Sequence, residues 1–337
     1  MTSQRNSFAA LVGNTPLLEL RRFGQALKLD ARILAKIEYL NPAGSIKDRT
    51  AWGLIREAEE SGRLKPGQRI VDLTSGNTGI GLAALAAARG YRAKFYLRNT
   101  IGDDKIRLLR HYGAEIVLID NGEFLAEGAI HAIIDRVRRE NPDAYYTNQR
   151  GNPANPRVHF ETTGPEIWRD TKGEVDIFVA AVGTGGTISG TGRFLKAQKP
   201  GVKVVVVEPG PASVPSPEVP YPDAIEGVHK VTEVDAGHLP ENFDAAVVDE
   251  VIVTETAQAR ELARVLAQEE GILAGTSSGA VLFAAAALAR RPGNAGRTIV
   301  GIVADSGERY LSPPKLGPAG AEPPERPLAA AELAASA

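Results

Sequence analysis

Cysteine is absent from this chain, and its absence removes several kinds of chemistry at once. Without a thiol the protein has no disulfide, no thiolate metal site and no cysteine nucleophile. The absence also fits a reducing compartment. The five histidines show no metal-ligand spacing among themselves, and we expect each of them to be a surface or capping residue. We therefore predict no metal site.

Long apolar runs and a strong charge of one sign are also missing. No run reaches the length of a membrane span, and the segment "MTSQRNSFAA" at the start has no apolar core of the kind found in signal peptides. The formal net charge is −2, so neither a nucleic-acid surface nor a membrane surface is indicated. We expect a cytoplasmic protein with small-molecule partners.

The chain does contain enough apolar sequence for a substantial core. Its 337 residues are 43% hydrophobic, and this length favours two domains. Nearly continuous hydrophobic runs predict strands buried on both faces, at 69–74, 93–97, 115–119, 176–182, 203–209 and 298–304. Helical patterns lie between these runs, at 79–90, 102–113, 125–140, 187–198 and 256–271. This alternation predicts parallel sheets in an α/β protein.

A turn-rich stretch, "TNQRGNPANP", divides the pattern into two blocks, 39–152 and 153–313. The segment after Leu311 is rich in proline and alanine and has no core-forming pattern. We expect residues 314–337 to be a disordered tail.

Three glycine-rich turns each follow an apolar run and open a helix: "TSGNTG" (74–79), "GTGGT" (183–187) and "GTSSG" (275–279). Loops at the carboxyl ends of parallel strands line the ligand crevice, and a helix start presents bare N–H groups there. "GTGGT" is the best phosphate cradle, with Thr184 and Thr187 as hydroxyl donors. It lacks the full dinucleotide fingerprint, and the chain has no P-loop, so a single phosphate is the better ligand.

"GTSSG" also matches the serine-hydrolase pattern G-x-S-x-G, with Ser277 as the candidate nucleophile. In that fold the catalytic histidine follows the serine in the chain. Every histidine here precedes Ser277, so a hydrolase is disfavoured.

Lys47 follows the turn "NPAGS" and opens a predicted helix. A lysine amine beside a monophosphate site suggests pyridoxal 5′-phosphate (PLP) held as a Schiff base. Desolvation in a cleft would lower the lysine pKa and supply the neutral amine that this chemistry needs. The alternative is an ordinary solvated charge at a helix start.

Ordered motifs carry a family resemblance. They are "LVGNTPLLEL" (11–20), "NPAGSIKDR" (41–49), "TSGNTG", "NPANP" (152–156), "TTGPEIW" (162–168), "GTGGT", "GTSSGA" (275–280) and "SGERYLS" (306–312). From about residue 8 to 312 the chain resembles the cysteine synthase (O-acetylserine sulfhydrylase) and cystathionine β-synthase group of fold-type II PLP enzymes. The resemblance implies two open, mostly parallel α/β sandwich domains, tryptophan synthase β-like, with the active site in the cleft between them. It also implies a homodimer.

The resemblance implies roles for particular residues. Lys47 would be the Schiff-base lysine and Asn77 the partner of the PLP phenolic oxygen. Ser277 would meet the pyridine nitrogen. The phosphate would be held by Gly183, Thr184, Gly185, Gly186 and Thr187. The substrate carboxylate would be bound by Thr74, Ser75, Asn77, Thr78 and Gln149. A smaller, mobile domain (39–152) would carry the carboxylate loop, and a larger one (1–38 plus 153–313) the cofactor phosphate.

The implied reaction is β-replacement on an O-activated L-serine through an aminoacrylate, with Lys47 as the base at Cα. The simplest version makes cysteine and acetate from O-acetylserine and sulfide. Alternatives are a cystathionine β-synthase, an O-phosphoserine-dependent synthase or a 2,3-diaminopropionate-type synthase. A catalytically idle paralogue that binds a partner protein is an alternative of another class.

Departures from the family pattern concentrate near the expected substrate site. Arg150 follows Gln149 where the family commonly has an aromatic residue. It either points to solvent or pairs with an acid, or it meets an anionic co-substrate or leaving group. The segment 97–109, with Arg98, also departs from the pattern, and 225–242 is longer than usual. These departures bear on the identity of the second substrate.

Overall fold

The computed structural model describes residues 7–126, 128–234 and 239–312, and the tail predicted to be disordered lies outside them. The strands are β1 (Leu17–Glu19), β2 (Arg32–Ile37), β3 (Arg69–Leu73), β4 (Arg92–Arg98), β5 (Glu115–Ile119), β6 (Tyr145–Tyr146), β7 (Ile177–Ala181), β8 (Lys203–Pro209), β9 (Glu250–Thr254) and β10 (Thr298–Val303). The α-helices are α1 (Arg21–Ala26), α2 (Lys47–Glu60), α3 (Asn77–Arg89), α4 (Asp103–His111), α5 (Ala129–Glu140), α6 (Ala154–Val158), α7 (Gly164–Asp170), α8 (Gly186–Gln198), α9 (Thr256–Glu270) and α10 (Thr276–Ala289).

One sheet has six strands in the order β1-β2-β10-β7-β8-β9. Only the edge strand β1 runs antiparallel to its neighbour; the other pairings are parallel. Helices α1, α9 and α10 contribute to the apolar core on one face, and α7 and α8 to the core on the other. Because both faces are covered, β10 is buried along its whole length.

The second sheet has four parallel strands in the order β5-β4-β3-β6. Helices α2, α3 and α4 supply apolar side chains to one face and α5 to the other. Helix α3 is hydrophobic on nearly every side because it is buried from Thr78 to Ala86. The mostly parallel α/β architecture predicted from the sequence is confirmed.

Every strand predicted from a hydrophobic run is present, and four further strands lie outside those predictions. Strands β1 and β6 are too short to produce a periodic pattern. Strand β2 carries Lys36, whose fully buried amine lies 2.8 Å from a Glu166 carboxylate oxygen. A charged residue with a distant partner interrupts the hydrophobic pattern without interrupting the strand.

The carboxyl ends of strands from both sheets meet around one large cavity. Its lining includes the last residues of β3, β4 and β7, namely Leu73, Arg98 and Ala181. Helix α2 begins at the same place, with Lys47 on the cavity wall. The two sheets therefore direct their loops to a shared site, as parallel α/β sheets do. The domain boundaries expected at 39–152 remain a prediction.

Candidate active site

The cavity between the sheets has a volume of about 490 Å³ and collects predicted residues from separate parts of the chain. Its lining includes Lys47, Thr74, Ser75, Asn77, Thr78, Gln149, Arg150, Gly183, Thr184, Thr187 and Ser277. Gly185 and Gly186 belong to the same loop as Thr184 but are not part of the lining. All of the sequence-predicted site segments therefore meet in one place.

Lys47 opens α2 and is held there by the turn that precedes it. Its backbone N–H donates to Ser45 Oγ at 3.2 Å, and the Ile46 N–H donates to the Ala304 carbonyl at 2.8 Å, just beyond β10. Burial lowers the pKa of the Lys47 amine, and the nearby Asp305 carboxylate offsets this only in part. The amine is therefore closer to its neutral, nucleophilic form than a solvated lysine would be.

The two residues after Lys47 brace the start of α2. Asp48 is fully buried, and its carboxylate accepts a 2.6 Å hydrogen bond from the Ala43 N–H. Arg49 is fully buried between two carboxylates, with N–O distances of 2.8 Å to Glu38 and 2.7 Å to Glu166. A guanidinium held by two carboxylates fixes the helix on which Lys47 sits.

The "GTGGT" loop packs so closely that its glycines are required. A Cβ on Gly186 would lie 2.0 Å from Asn155 Oδ1, and Gly185 has a φ of +80° at the N-cap of α8. Asn155 Nδ2 donates to Thr184 Oγ1 at 2.8 Å and so positions that hydroxyl. The first N–H groups of α8 lie beside the cavity, in the arrangement that favours an anion.

Two histidines contradict the expectation of surface or capping positions. His159 is fully buried, and its ring nitrogens lie 2.9 Å from Thr163 Oγ1 and 3.3 Å from Thr187 Oγ1. His229 lines the cavity. Burial, with the charges of neighbouring cations, lowers the pKa of His159 well below its usual range and that of His229 to about 3. Both rings are therefore neutral near pH 7 and add no positive charge to the site.

Asn77, the first residue of α3, is oriented by two partners from near the end of the described chain. Its Nδ2 donates to Asp305 Oδ2 at 2.7 Å, and its Oδ1 accepts from an Arg309 NH group at 2.7 Å. The amide nitrogen carries two hydrogens, so one remains to donate after Asp305 has been satisfied. Ser277 lies on another wall of the cavity, in the first turn of α10.

The "TSGNTG" loop is shaped by Thr74. Its hydroxyl oxygen accepts from the Gly76 N–H at 3.1 Å and the Gly79 N–H at 3.2 Å, which closes the turn into α3. Gln149 lies beside it, with its side-chain amide donating to the Leu73 carbonyl at 2.7 Å. The Thr74 hydroxyl keeps its own hydrogen for a ligand, and the start of α3 supplies N–H groups that suit a carboxylate.

Arg150 and Arg98 stand on either side of this loop and both line the cavity. The Arg98 guanidinium lies 3.9 Å from the centroid of the Phe124 ring and donates to Asn121 Oδ1 at 2.8 Å. Burial and the charge of Arg150 lower the pKa of Arg98 to about 10, so it stays charged near pH 7. Burial also lowers the pKa of Arg150, with Tyr146 and Glu241 acting in the opposite direction.

Sequence reasoning named no role for Asp305, Asn155 or His229. Asn155 and Asp305 act through partners far away in the chain; Asn77 and Asp305, for example, are 228 positions apart. The available signals were their positions: Asn155 lies within "NPANP", and Asp305 directly precedes "SGERYLS". Within the described ranges, no group of three or more histidine or acidic side chains is arranged to hold a metal ion.

Comparisons with known proteins agree with this geometry. The family model for the pyridoxal-phosphate dependent enzymes matches residues 9–305. A cysteine synthase of Staphylococcus aureus is 41% identical over 310 residues, which are 92% of this chain and 96% of that protein. The expected resemblance to the cysteine synthase group is thereby confirmed.

Solved structures give the same result. The structure of O-ureido-L-serine synthase has a TM-score of 0.79 and 36% identity, covering 92% of this chain and 94% of that one. That of the cysteine synthase (OASS) of Entamoeba histolytica has a TM-score of 0.79 and 38% identity, covering 92% and 90%. The fold-type II architecture expected from the motifs is confirmed.

The residues of the cavity fit the cofactor of this family. A lysine with a lowered pKa faces the cavity, and a glycine loop that tolerates no Cβ at Gly186 presents a helix start to it. A serine hydroxyl and an oriented amide hydrogen complete a donor set for a phosphorylated pyridine. The chain therefore belongs to the pyridoxal-phosphate dependent enzymes, and its cofactor is pyridoxal 5′-phosphate.

Proposed function

We propose that the protein catalyses β-replacement on an O-activated L-serine, and that in the simplest case it makes L-cysteine and acetate from O-acetylserine and sulfide. The observation that carries the proposal is the convergence of Lys47 and the three glycine-rich loops on one cavity. Relatives named as cysteine synthases, 41% identical over most of the chain, support the same reaction.

Lys47 is the proposed catalytic residue. Bound PLP supplies an electron sink that makes a proton on the substrate Cα removable. The lowered pKa of Lys47 lets its amine accept that proton and return it after the nucleophile has added to Cβ. Asp305, fully buried nearby, favours the protonated amine while it holds the proton.

The other residues bind and orient. The loop at the start of α8 is the proposed binding site for the cofactor phosphate. Asn155 positions Thr184 in that loop. Ser277 is the proposed partner of the pyridine nitrogen; a hydroxyl is too weak an acid to keep that nitrogen protonated, which favours elimination over transamination. The start of α3 and Gln149 are the proposed carboxylate site.

The proposal extends to the organisation of the molecule. We propose that residues 39–152 form a smaller unit that closes over the substrate and excludes water, and that the remaining 1–38 and 153–313 form the larger unit. We also propose a homodimer in the cytoplasm, on the family resemblance and on the lack of cysteine. None of the helices in the described part of the chain combines the length and the apolar character that a bilayer crossing requires.

The test is to supply purified protein with PLP, O-acetylserine and sulfide and to measure cysteine by mass spectrometry. We expect a visible absorption band from the bound cofactor, a change in that band with O-acetylserine alone, and cysteine after sulfide is added. If no serine ester perturbs the band and no product forms with any nucleophile, the chain is the idle paralogue and the proposal is wrong.

A further inference from the structure

Two guanidinium groups flank the proposed carboxylate loop. Strand β3, which leads into that loop, lies between β4 and β6 in the sheet. Arg98 is the last residue of β4, and Arg150 follows β6 by four residues. Because the strands are parallel, these side chains and the loop share one edge of the sheet, and both arginines line the cavity.

Arg98 differs from other cations of the cavity wall in its contacts. Its contacts are the Phe124 ring and the Asn121 amide oxygen, and among residues 7–126, 128–234 and 239–312 no carboxylate forms an ion pair with it. Two further cations of the cavity wall differ in this respect, since Lys105 pairs with Glu226 and Lys230 with Glu233.

Arg98 and Arg150 both line the cavity, and their like charges repel each other. The charge of Arg150 is a cause of the lowered pKa of Arg98, and both arginines help to keep His229 neutral. Like charges in a partly desolvated cavity are unfavourable unless an anion lies between or beside them. Glu241 raises the pKa of Arg150, whereas among the described residues no carboxylate is a cause of the pKa shift of Arg98.

The helix starts already account for two anions of the proposed reaction. The start of α8 suits the cofactor phosphate, and the start of α3 suits the amino-acid carboxylate. These two anions therefore do not require the two guanidinium groups. The planar forks of the guanidinium groups match the oxygens of a further phosphate or carboxylate.

We propose that Arg98 and Arg150 form an anion subsite that selects a substrate with a second negative group beyond the amino-acid carboxylate. The shared chemistry is a phosphate or carboxylate group, supplied either by the leaving group of an O-phosphoserine or by an amino-acid nucleophile. The inference rests on the proposed β-replacement and specifies its substrate class.

The same β-replacement steps apply to a phosphate ester and to an anionic nucleophile. With a phosphate ester, the Cα proton goes to the Lys47 amine and the Cβ–O bond breaks with its electron pair leaving on phosphate. The nucleophile then bonds to Cβ and releases its S–H or N–H proton to solvent, and the proton held by Lys47 returns to Cα. With an anionic nucleophile the same bonds form and break, and the subsite holds the carboxylate of the incoming molecule.

The experiment compares holoenzyme with Arg98→Gln, Arg150→Gln and the double variant. Arg107→Gln is the matched control, because Arg107 is an exposed arginine on α4 with the same charge. The change in the cofactor band is titrated with O-phosphoserine and with O-acetylserine, and product formation is measured with sulfide and with homocysteine. Binding of inorganic phosphate to the holoenzyme is measured by isothermal titration calorimetry, and its competition with the serine ester is measured by inhibition.

We expect each Gln variant to weaken phosphate binding roughly 10-fold to 100-fold, since a charge-assisted contact is lost. The KM for the anionic substrate should rise by a similar factor with little change in kcat, while the KM for O-acetylserine and sulfide stays within about threefold. A KM effect confined to O-phosphoserine identifies the leaving group as the source of the anion, and one confined to homocysteine identifies the nucleophile.

Equal effects on substrates with and without the second phosphate or carboxylate group, or an equal effect of Arg107→Gln, would overturn the subsite. If a Gln variant lacks the cofactor band, Arg98→Lys replaces it, and retention of phosphate binding within about threefold is expected. If no serine ester reacts at all, the proposed function fails, and the phosphate titration still decides the subsite: unchanged phosphate binding in both Gln variants refutes it.

Discussion

Asn155 makes contacts with three separate parts of the candidate active site, whereas the sequence motifs assigned it no role. Its buried amide donates to Thr184 Oγ1 and to the Gln149 carbonyl, both at 2.8 Å, and accepts from Thr50 Oγ1 at 3.1 Å. A single side chain thus connects α2, the "GTGGT" loop and the segment around Gln149.

We predict that Asn155→Ala lowers both cofactor affinity and stability. The change removes three hydrogen bonds, at a cost of about 0.5–1.5 kcal/mol each. Thr50 keeps its contact with His159, and the Gln149 carbonyl keeps its bond from Asn242. The dissociation constant for PLP should rise at least tenfold, and the midpoint of thermal unfolding should fall. Asn294→Ala, a buried asparagine remote from the cavity, is the control: it should lose stability and keep its PLP affinity.

At the scale of elements, the start of α8 depends on a glycine that sequence composition alone does not distinguish from others. A Cβ on Gly186 would overlap Asn155 Oδ1, whereas one on Gly201 would meet nothing within 4 Å. We predict that Gly186→Ala displaces the loop and removes most PLP binding, measured as cofactor absorbance per chain. Gly201→Ala should bind PLP as the parent does. Full PLP occupancy in Gly186→Ala would show that the loop is not the phosphate site.

The start of α2 depends instead on buried charge. Burial raises the pKa of Glu166, but Arg49 and Lys36 outweigh it and lower the pKa to about 2. A carboxyl with a depressed pKa stabilises the fold above its ordinary value of 4.5, and this stability is lost as the pH falls towards 2.

We predict that Glu166→Gln destabilises the protein by roughly 3 kcal/mol near pH 7, because two buried cations lose a partner. Its unfolding free energy should also fall less steeply than that of the parent between about pH 4.5 and 2. Denaturant titrations across that range measure both effects. Glu174→Gln, which removes an exposed carboxylate, should be as stable as the parent. An equal loss of stability in Glu174→Gln would show that the effect comes from the change in net charge and not from the buried ion pairs.

At the scale of the whole molecule, Lys105 links the two sheets. It lies on α4 beside the four-stranded sheet. Its amine forms an ion pair with Glu226, which follows β8 in the chain, and a hydrogen bond with the hydroxyl of Tyr310, which follows β10. If residues 39–152 close over the substrate as proposed, this link holds the closed form.

We predict that Lys105→Met raises the substrate KM about 3-fold to 10-fold and weakens the substrate-induced protection of 39–152 from hydrogen exchange. Arg107→Met, on the exposed face of the same helix, should leave both unchanged. Identical protection in Lys105→Met and the parent would exclude the link from closure.

Prediction from sequence succeeded where the physics is local. Buried parallel strands read as hydrophobic runs, and glycine turns at helix starts indicated the loops. It failed where a residue depends on a distant partner: Lys36 can lie inside β2 because Glu166 pairs with it, and His159 can be buried because three threonines contact its ring. The contacts of Asn77 with Asp305 and Arg309 join residues that are 228 and 232 positions apart, so they form only in the folded protein.

We propose that Lys47 carries the cofactor in this cavity. The most direct test is to reduce the holoenzyme with borohydride, digest it and locate the phosphopyridoxyl group by mass spectrometry. We predict that the label lies on Lys47, that Lys47→Ala acquires none there, and that Lys65→Ala, which removes an exposed lysine, is labelled as the parent is. A label on another lysine of the parent protein, or full labelling of Lys47→Ala, would contradict the proposal that Lys47 carries the cofactor.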